Sequence, residues 1–545
     1  LCVYDEGKAR ILNQQYCSVF SEPDNAIAIF DTESFATMSE INIDSNGVLK
    51  LLSNIDPSKA AGPDGIQTRF LKEFSNELYP ALSLIFEASL HQKQVPNDWR
   101  NALVTPLYKS DKKDRSNPAN YRPISLTSTS CKIMEHIIYS NIMHHLNSKN
   151  ILVHQQHGFR NKHSCESQLL ITVNDFAKSL NKGDQIDSVL LDFSKAFDRV
   201  SHNKLFLKLH HYGIQGHTLE WIKSFLSQRK QCVVVNGSKS DWSNVTSGVP
   251  QGTVLGPLLF IIYMNDLPTS LTSHIRLFAD DALIYRTIKS ESDTNLLQKD
   301  LDKLQLWEEK WSMKFNIEKC KSLTITNKLK PLKMPYFLHK KELESVESAK
   351  YLGVLLQKKL LWKKHVDSIC YKANGTRFFL QRNLYKCNKK VKEKAFNTYV
   401  LPIINYASTV WNPVGNQSLR HKLEMVQRSG ARFVFNKFDR NNSPTEMIKK
   451  LGWVTPEKQR AVSNLIMVHK IVHQNIAIPI DILPKRSRSS NIQFQPMYGR
   501  VQAFSNSFVP FTISLWNKLP VEITNEVSQT SFKEKVIKSL DKILS

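Results

Sequence analysis

Residues 275–278 and 282–285 are two short apolar arms on either side of Asp280-Asp281. Arms this short, joined through a pair of acids, predict a tight hairpin with carboxylates at its tip. A third acid occupies a similar place. Residues 186–193 form an apolar run rich in Val, Leu and Ile, bounded by Gly183-Asp184, and Asp192 lies near its end. The run reads as a buried strand, and an acid at its end is costly unless paired or bound to a cation. Adjacent aspartates repel, and a divalent cation relieves the repulsion most directly, although a lone Asp-Asp pair also suits a solvated turn.

Other elements surround these strands. Ile133, Met134, Ile137, Ile138, Ile142, Met143 and Leu146 make a helical stripe over residues 132–146, and residues 202–212 return to helical spacing. Residues 230–235 predict a strand, ended by the hairpin signal Asn236-Gly237. Between 293 and 315, Leu297, Leu301, Leu304, Trp307 and Trp311 recur as the core-facing stripe of an amphipathic helix. This order predicts an α+β fold, with helices on one face of a largely antiparallel sheet.

Composition narrows the chemistry. The 545 residues carry 74 Lys and Arg against 49 Asp and Glu, a net charge of +25. Such a charge attracts polyanions, of which nucleic acid is the commonest; the alternative is a generic basic surface. No apolar run approaches the ~20 residues that span a bilayer. The longest, residues 254–264, is broken by Gly256 and Pro257, and the start does not read as a signal peptide. The 8 cysteines are scattered with no C-x-x-C pair, which argues for a reducing compartment and against a zinc ribbon. Secretion and membrane insertion are not expected. The chain opens on Leu1 rather than Met and is expected to be a piece whose own N-terminus lies upstream. Oxygen ligands without a His or Cys cluster suit Mg²⁺. Two such ions about 4 Å apart serve in-line phosphoryl transfer.

At these residues a resemblance appears. Leu190-Leu191-Asp192-Phe193-Ser194-Lys195-Ala196-Phe197-Asp198 resembles the first catalytic motif of reverse transcriptases, and Ser247-Gly248-Val249-Pro250-Gln251-Gly252 their nucleotide-pocket motif. Phe278-Ala279-Asp280-Asp281 is similar to their F/Y-A-D-D box, with Phe278 where many relatives have Tyr. Lys59-Ala60-Ala61-Gly62-Pro63-Asp64-Gly65-Ile66, Asn120-Tyr121-Arg122-Pro123-Ile124-Ser125-Leu126 and His157-Gly158-Phe159-Arg160 resemble segments of non-LTR retrotransposon enzymes. So do Asn316-Ile317-Glu318-Lys319, Tyr351-Leu352-Gly353-Val354 and the jockey-like Leu515-Trp516-Asn517-Lys518-Leu519-Pro520. In order, the motifs span about residues 50 to 520.

The resemblance implies a right-hand polymerase with an RRM-like antiparallel palm, copying an RNA template into DNA from a primer 3′-hydroxyl with dNTPs. It implies metal binding by Asp192, Asp280, Asp281 and the Phe193 carbonyl, with two Mg²⁺ ions that Mn²⁺ can replace. Lys109 and Arg122 fall at the fingers cations for the triphosphate, and a guanidinium suits phosphate oxygens; Lys109 reads equally as one basic residue of a polar loop. Phe197 falls at the steric gate against a ribose 2′-hydroxyl, with ordinary packing as its alternative. Gln251 and Gly252 line the nucleotide pocket. Lys319 is the candidate acid for pyrophosphate, with Lys321 in competition, and Tyr351, Leu352 and Gly353 form the primer grip.

The expected regions are a lead (1–50), an N-terminal extension and fingers (51–185), palm (186–358), thumb (359–460) and a basic C-terminal region (461–545). Lys and Arg of residues 363–394 would line a track for an RNA·DNA hybrid, gripped through phosphates and 2′-hydroxyls. Priming on chromosomal DNA implies nuclear access or a ribonucleoprotein particle, with Lys485-Arg486-Ser487-Arg488 as an import or RNA-contact cluster. An upstream endonuclease is expected to be absent or truncated, and no zinc knuckle or RNase H constellation is read. The alternatives are another right-hand reverse transcriptase, intron-encoded or telomerase-like, and a catalytically silent RNA-binding relic. Oligomeric state is not legible.

Overall fold

In a computed structural model of the protein, residues 4–21, 30, 33–109, 114–439, 441–485 and 492–544 are described. Residues 110–113 of the basic loop after Lys109 and Arg486-Ser487-Arg488 lie outside them. The chain divides into two units, each assembled from three stretches.

The first unit comprises Leu1–Phe159, Asp192–Leu271 and Leu301–Asn316. Its five-stranded sheet runs Tyr121–Leu126, Asn101–Tyr108, Lys230–Val235, Ser238–Lys239, with Ser243–Asn244 also on Lys230–Val235. Asn101–Tyr108 is antiparallel to Tyr121–Leu126 and parallel to Lys230–Val235. Asn236 and Gly237 both take positive φ (49° and 88°), the backbone a two-residue hairpin needs for its twist to match the strands. Helix Asp5–Cys17 buries Ala9, Leu12 and Tyr16 against Val104 and Val233. Helix Thr129–Ser148 starts at Ser128, whose hydroxyl accepts the Cys131 N–H, and it buries the predicted stripe apart from the half-buried Ile137. Helix Leu255–Tyr263 is apolar on every side and buried throughout, apart from the half-buried Pro257.

The second unit comprises Arg160–Leu191, Thr272–Asp300 and Ile317–Ser545. Its sheet runs Glu344–Ser345, Lys321–Ile325, Gln185–Leu191, Asp281–Ile288, His274–Phe278. All neighbours are antiparallel except Glu344–Ser345, which is parallel to Lys321–Ile325. Gln185–Leu191 is central and buried along nearly its whole length, as a continuous apolar run requires. Helix Cys165–Asn181 packs Leu169 and Phe176 with Ile186, Leu283 and Tyr285 of the sheet. The same core extends through helices Lys363–Asn383, Gln417–Phe435, Pro456–Val472, Phe508–Trp516 and Gln529–Leu544. The basic stretch thus folds as two helices, Lys363–Asn383 and Lys389–Tyr399.

Two expectations need correction. The single sheet is, among the described residues, two five-stranded sheets and two two-stranded ones, and Lys230–Val235 pairs with Asn101–Tyr108 in the first unit and not with the acid-bearing strands. Hydrophobic periodicity reports which face of a strand is buried, not which strand lies beside it. The helix expected over 293–315 is Glu291–Lys310, and Ser312 beyond it takes left-handed backbone (φ 53°). Its stripe is buried as expected, from Leu297 to Trp311.

Candidate active site

In the second unit, Phe278 pairs with Asp281. That register leaves Ala279-Asp280 as a two-residue turn, with Ala279 in left-handed backbone (φ 56°). Asp281 opens the second arm, and both acids are exposed. Ala282, the next residue, stands opposite Leu191, and Asp192 follows Leu191 in the chain. The hairpin with acids at its tip is as the residue pattern predicts.

Lys319 is exposed in the turn before Lys321–Ile325, whereas Lys321 forms an ion pair with Glu344. Tyr351 ends strand Ser348–Tyr351, and Leu352-Gly353 turns into Val354–Gln357 with φ of 42° and 86°. The Leu352 carbonyl accepts the Tyr406 hydroxyl at 3.0 Å, and a Cβ on Gly353 would lie 2.9 Å from the Tyr406 ring. The primer-grip candidates are thus a tight hairpin tip braced by one tyrosine.

The first unit carries the remaining candidates. Asp192 is half-buried. Its carbonyl accepts the Asn316 N–H at 2.7 Å, and the Ser194 N–H donates to the Lys314 carbonyl at 2.7 Å. Phe193 between them bridges to Phe315 and stacks on its ring at 4.4 Å. In this antiparallel alternation the Phe193 C=O turns to the opposite edge of the strand.

Phe197 sits in the 3-10 turn Ala196–Arg199, entered through left-handed Lys195. Its ring stacks on Phe260 at 4.2 Å and meets Phe159 edge-on at 6.1 Å. The turn is tied to the Gln251 loop, because the Phe197 carbonyl accepts the Val249 N–H at 2.8 Å. The Gln251 carbonyl accepts the Ser125 N–H at 2.7 Å, and Gly252 (φ 116°) runs so close that a Cβ would lie 2.4 Å from the Ser125 carbonyl oxygen. Arg122 is exposed on the strand that carries Ser125 and stands opposite Leu107. Lys109 follows the partner strand and donates to the Ala119 carbonyl at 3.2 Å.

Two acids at this site carried no role in the sequence reading. The Asp198 carboxylate accepts Gln251 Nε2 at 3.3 Å; burial raises its pKa, opposed by the charges of Lys195 and Lys109. Buried Glu135 accepts the N–H groups of Val254 (2.7 Å) and Leu255 (2.9 Å), and burial raises its pKa as well. Glu135 caps the start of helix Leu255–Tyr263 and so anchors the loop that carries Gln251. The structure thus gathers Phe197, Gln251, Gly252 and Lys109 around Asp198. Among the described residues, no group of three or more His, Cys, Asp or Glu stands close enough together to hold a metal ion. Carboxylate and carbonyl oxygens, the groups that Asp192, Asp280, Asp281 and Phe193 offer, are of the class that Mg²⁺ prefers.

Comparison with known proteins adds a second line. Residues 110–356 match the family described as reverse transcriptase (RNA-dependent DNA polymerase). The chain is 30% identical over 394 residues to the RNA-directed DNA polymerase from mobile element jockey of Drosophila funebris, covering 70% of this chain and 42% of that one. It is 28% identical over 393 residues to the protein of the same name in Drosophila melanogaster (70% and 42%). It is also 28% identical over 386 residues to the probable RNA-directed DNA polymerase from transposon X-element of Drosophila melanogaster (69% and 42%). The match spans about two fifths of the length of these relatives.

Proposed function

We propose that this chain, which carries a reverse transcriptase domain over residues 110–356 and is related to the polymerases of non-LTR retrotransposons, extends a DNA primer on an RNA template. The observation that carries the reading is the register of the acidic hairpin. Asp281 directly precedes Ala282, the residue opposite Leu191, and Asp192 is the residue after Leu191 in the chain.

Asp192, Asp280, Asp281 and the Phe193 carbonyl would hold two Mg²⁺ ions, with Mn²⁺ as a substitute. When bound, such ions lower the pKa of a 3′-hydroxyl and offset charge on a leaving pyrophosphate. The chain's own side chains do the rest. Lys109 and Arg122 bind the triphosphate, the Gln251 amide contacts the base pair, and the absent Cβ of Gly252 keeps the loop against Ser125. Phe197 excludes a 2′-hydroxyl by occupying its space. Lys319 gives a proton to pyrophosphate, with Lys321 as its competitor. The Tyr351-Leu352-Gly353 tip holds the primer strand.

In this reading the sheet around Gln185–Leu191 is the palm, the sheet around Asn101–Tyr108 belongs to the fingers, and helices Lys363–Asn383 and Lys389–Tyr399 to the thumb. The partners are RNA template, DNA primer and dNTPs. No helix among the described residues is long and apolar enough to cross a membrane, and the reaction's DNA target calls for access to the nucleus. Primer extension on an RNA template with Mg²⁺ tests this function. Incorporation that is abolished by Asp280→Asn supports it, and a wild-type chain that binds the hybrid without incorporating dNTP favours the silent RNA-binding relic.

A further inference from the structure

The N-terminal helix Asp5–Cys17 and the residues that follow it form one wall of a cavity behind the Gln251 loop. The cavity measures about 40 Å³ and is lined by Tyr16 and Phe20 on one side and by Ser125, Asp198, Ser247 and Gln251 on the other. Tyr16 is only 2% exposed, and its hydroxyl has no hydrogen-bond partner among the described residues. Burial pushes the Tyr16 phenol well above its ordinary pKa, and the Asp198 charge is the next cause. An unpaired buried hydroxyl is costly, and a cavity of this size, with Tyr16 and Asp198 in its lining, has room for an ordered water.

The wall is fastened to the loops by named bonds. Asn13 Nδ2 donates to the Asp241 carbonyl and to Ser243 Oγ, both at 2.9 Å, and Asn13 Oδ1 accepts Gln231 Nε2 at 3.1 Å. The Ser21 N–H donates to Ser247 Oγ at 2.8 Å, and that hydroxyl donates to the Asp198 carbonyl oxygen at 2.8 Å. Asp198 in turn accepts Gln251 Nε2 at 3.3 Å. A polar path therefore runs from Ser21, just beyond the N-terminal helix, through Ser247 and Asp198 to the side chain assigned to the nucleotide.

We propose that Tyr16 is a positioning residue of the nucleotide pocket: through a buried water its hydroxyl holds the Asp198 carboxylate, which fixes the Gln251 amide. The proposal rests on the polymerase reading for its kinetic consequence, but not for the geometry. Tyr16→Phe removes the hydroxyl and keeps the ring packed against Val104 and Val233. In the full chain it raises the dNTP KM roughly fivefold, the factor set by one neutral hydrogen bond, and leaves kcat within about twofold.

Two readouts separate this role from general loosening. In a Gln251→Ala background, Tyr16→Phe has no further effect on KM, because its influence passes through Gln251. Amide hydrogen exchange at residues 248–252 is faster in Tyr16→Phe than in wild type, while helix Leu255–Tyr263 keeps its protection. An equal KM rise in both backgrounds, or unchanged exchange at 248–252, overturns the proposal. A wild-type chain that incorporates no dNTP fails the polymerase reading instead, and the exchange comparison then decides the role of Tyr16 by itself.

Discussion

Phe197 is the residue at which packing and the proposed selection against ribonucleotides meet. It is neither buried nor free: it stacks on Phe260 at 4.2 Å and is half-exposed, so one face is fixed while the other remains available to a substrate. Replacing it with Val keeps an apolar contact and vacates the space that a 2′-hydroxyl needs. Phe197→Val is expected to raise the relative kcat/KM for ribonucleotides by roughly tenfold to a hundredfold, measured in single-nucleotide incorporation. Discrimination unchanged from wild type would assign the ring to packing alone. The acids were legible from sequence because an Asp pair between apolar arms states its own problem. Glu135 and Asp198 were not, since each acquires meaning from a partner far along the chain: Val254 lies 119 positions from Glu135, and Gln251 lies 53 from Asp198. The one signal available was a charged residue inside a buried stripe, as at Glu135 in helix Thr129–Ser148.

At the scale of elements, local pattern predicted strands and helices well and pairing poorly. The Asn236-Gly237 turn, the acidic hairpin and the helical stripes each follow from a few adjacent residues. The parallel pairing of Asn101–Tyr108 with Lys230–Val235 joins segments about 130 residues apart, a choice that no periodicity encodes. The hairpin tip at Leu352-Gly353 gives a direct test of backbone requirement. Gly353→Ala meets both a positive φ and the Tyr406 ring, and is expected to destabilise the protein by roughly 1–3 kcal/mol and to impair primer extension, read by urea denaturation and by kcat.

His365, in helix Lys363–Asn383, supplies a pH test of the same region. It is buried, accepts the Leu355 N–H at Nδ1, and lies 5.0 Å from Trp411. Burial, and secondarily the Lys350 charge, lowers its pKa from 6.5 to about 4. The unfolded chain therefore takes a proton that the folded chain refuses. Its contribution is held above pH 6.5 and lost as pH falls towards 4, a change of roughly 3 kcal/mol. His365→Gln should flatten the decline of urea midpoint with falling pH over that interval; an unchanged decline would assign it to other groups.

For the whole molecule, the net charge of +25 has a use once the partner is a nucleic-acid hybrid. Exposed Lys363, Lys364 and Lys372 on one helix and Lys389, Lys390 and Lys394 on the next offer phosphate contacts, and exposed Tyr371, Phe378 and Phe379 lie among them. If about six phosphates are neutralised, affinity for an RNA·DNA hybrid falls roughly a thousandfold between 50 and 200 mM salt. A flat salt dependence by fluorescence anisotropy would leave the basic helices as a solvated face.

We propose that Asp192, Asp280 and Asp281 act as one metal-binding set, and single-turnover dNTP incorporation across a Mg²⁺ titration tests this. Wild type is compared with Asp192→Asn, Asp280→Asn and Asp281→Asn, with hybrid affinity measured alongside. Each substitution is expected to lower the rate by roughly a thousandfold or more and to leave hybrid binding intact. Incorporation that survives in Asp192→Asn while it is lost in Asp281→Asn would contradict it.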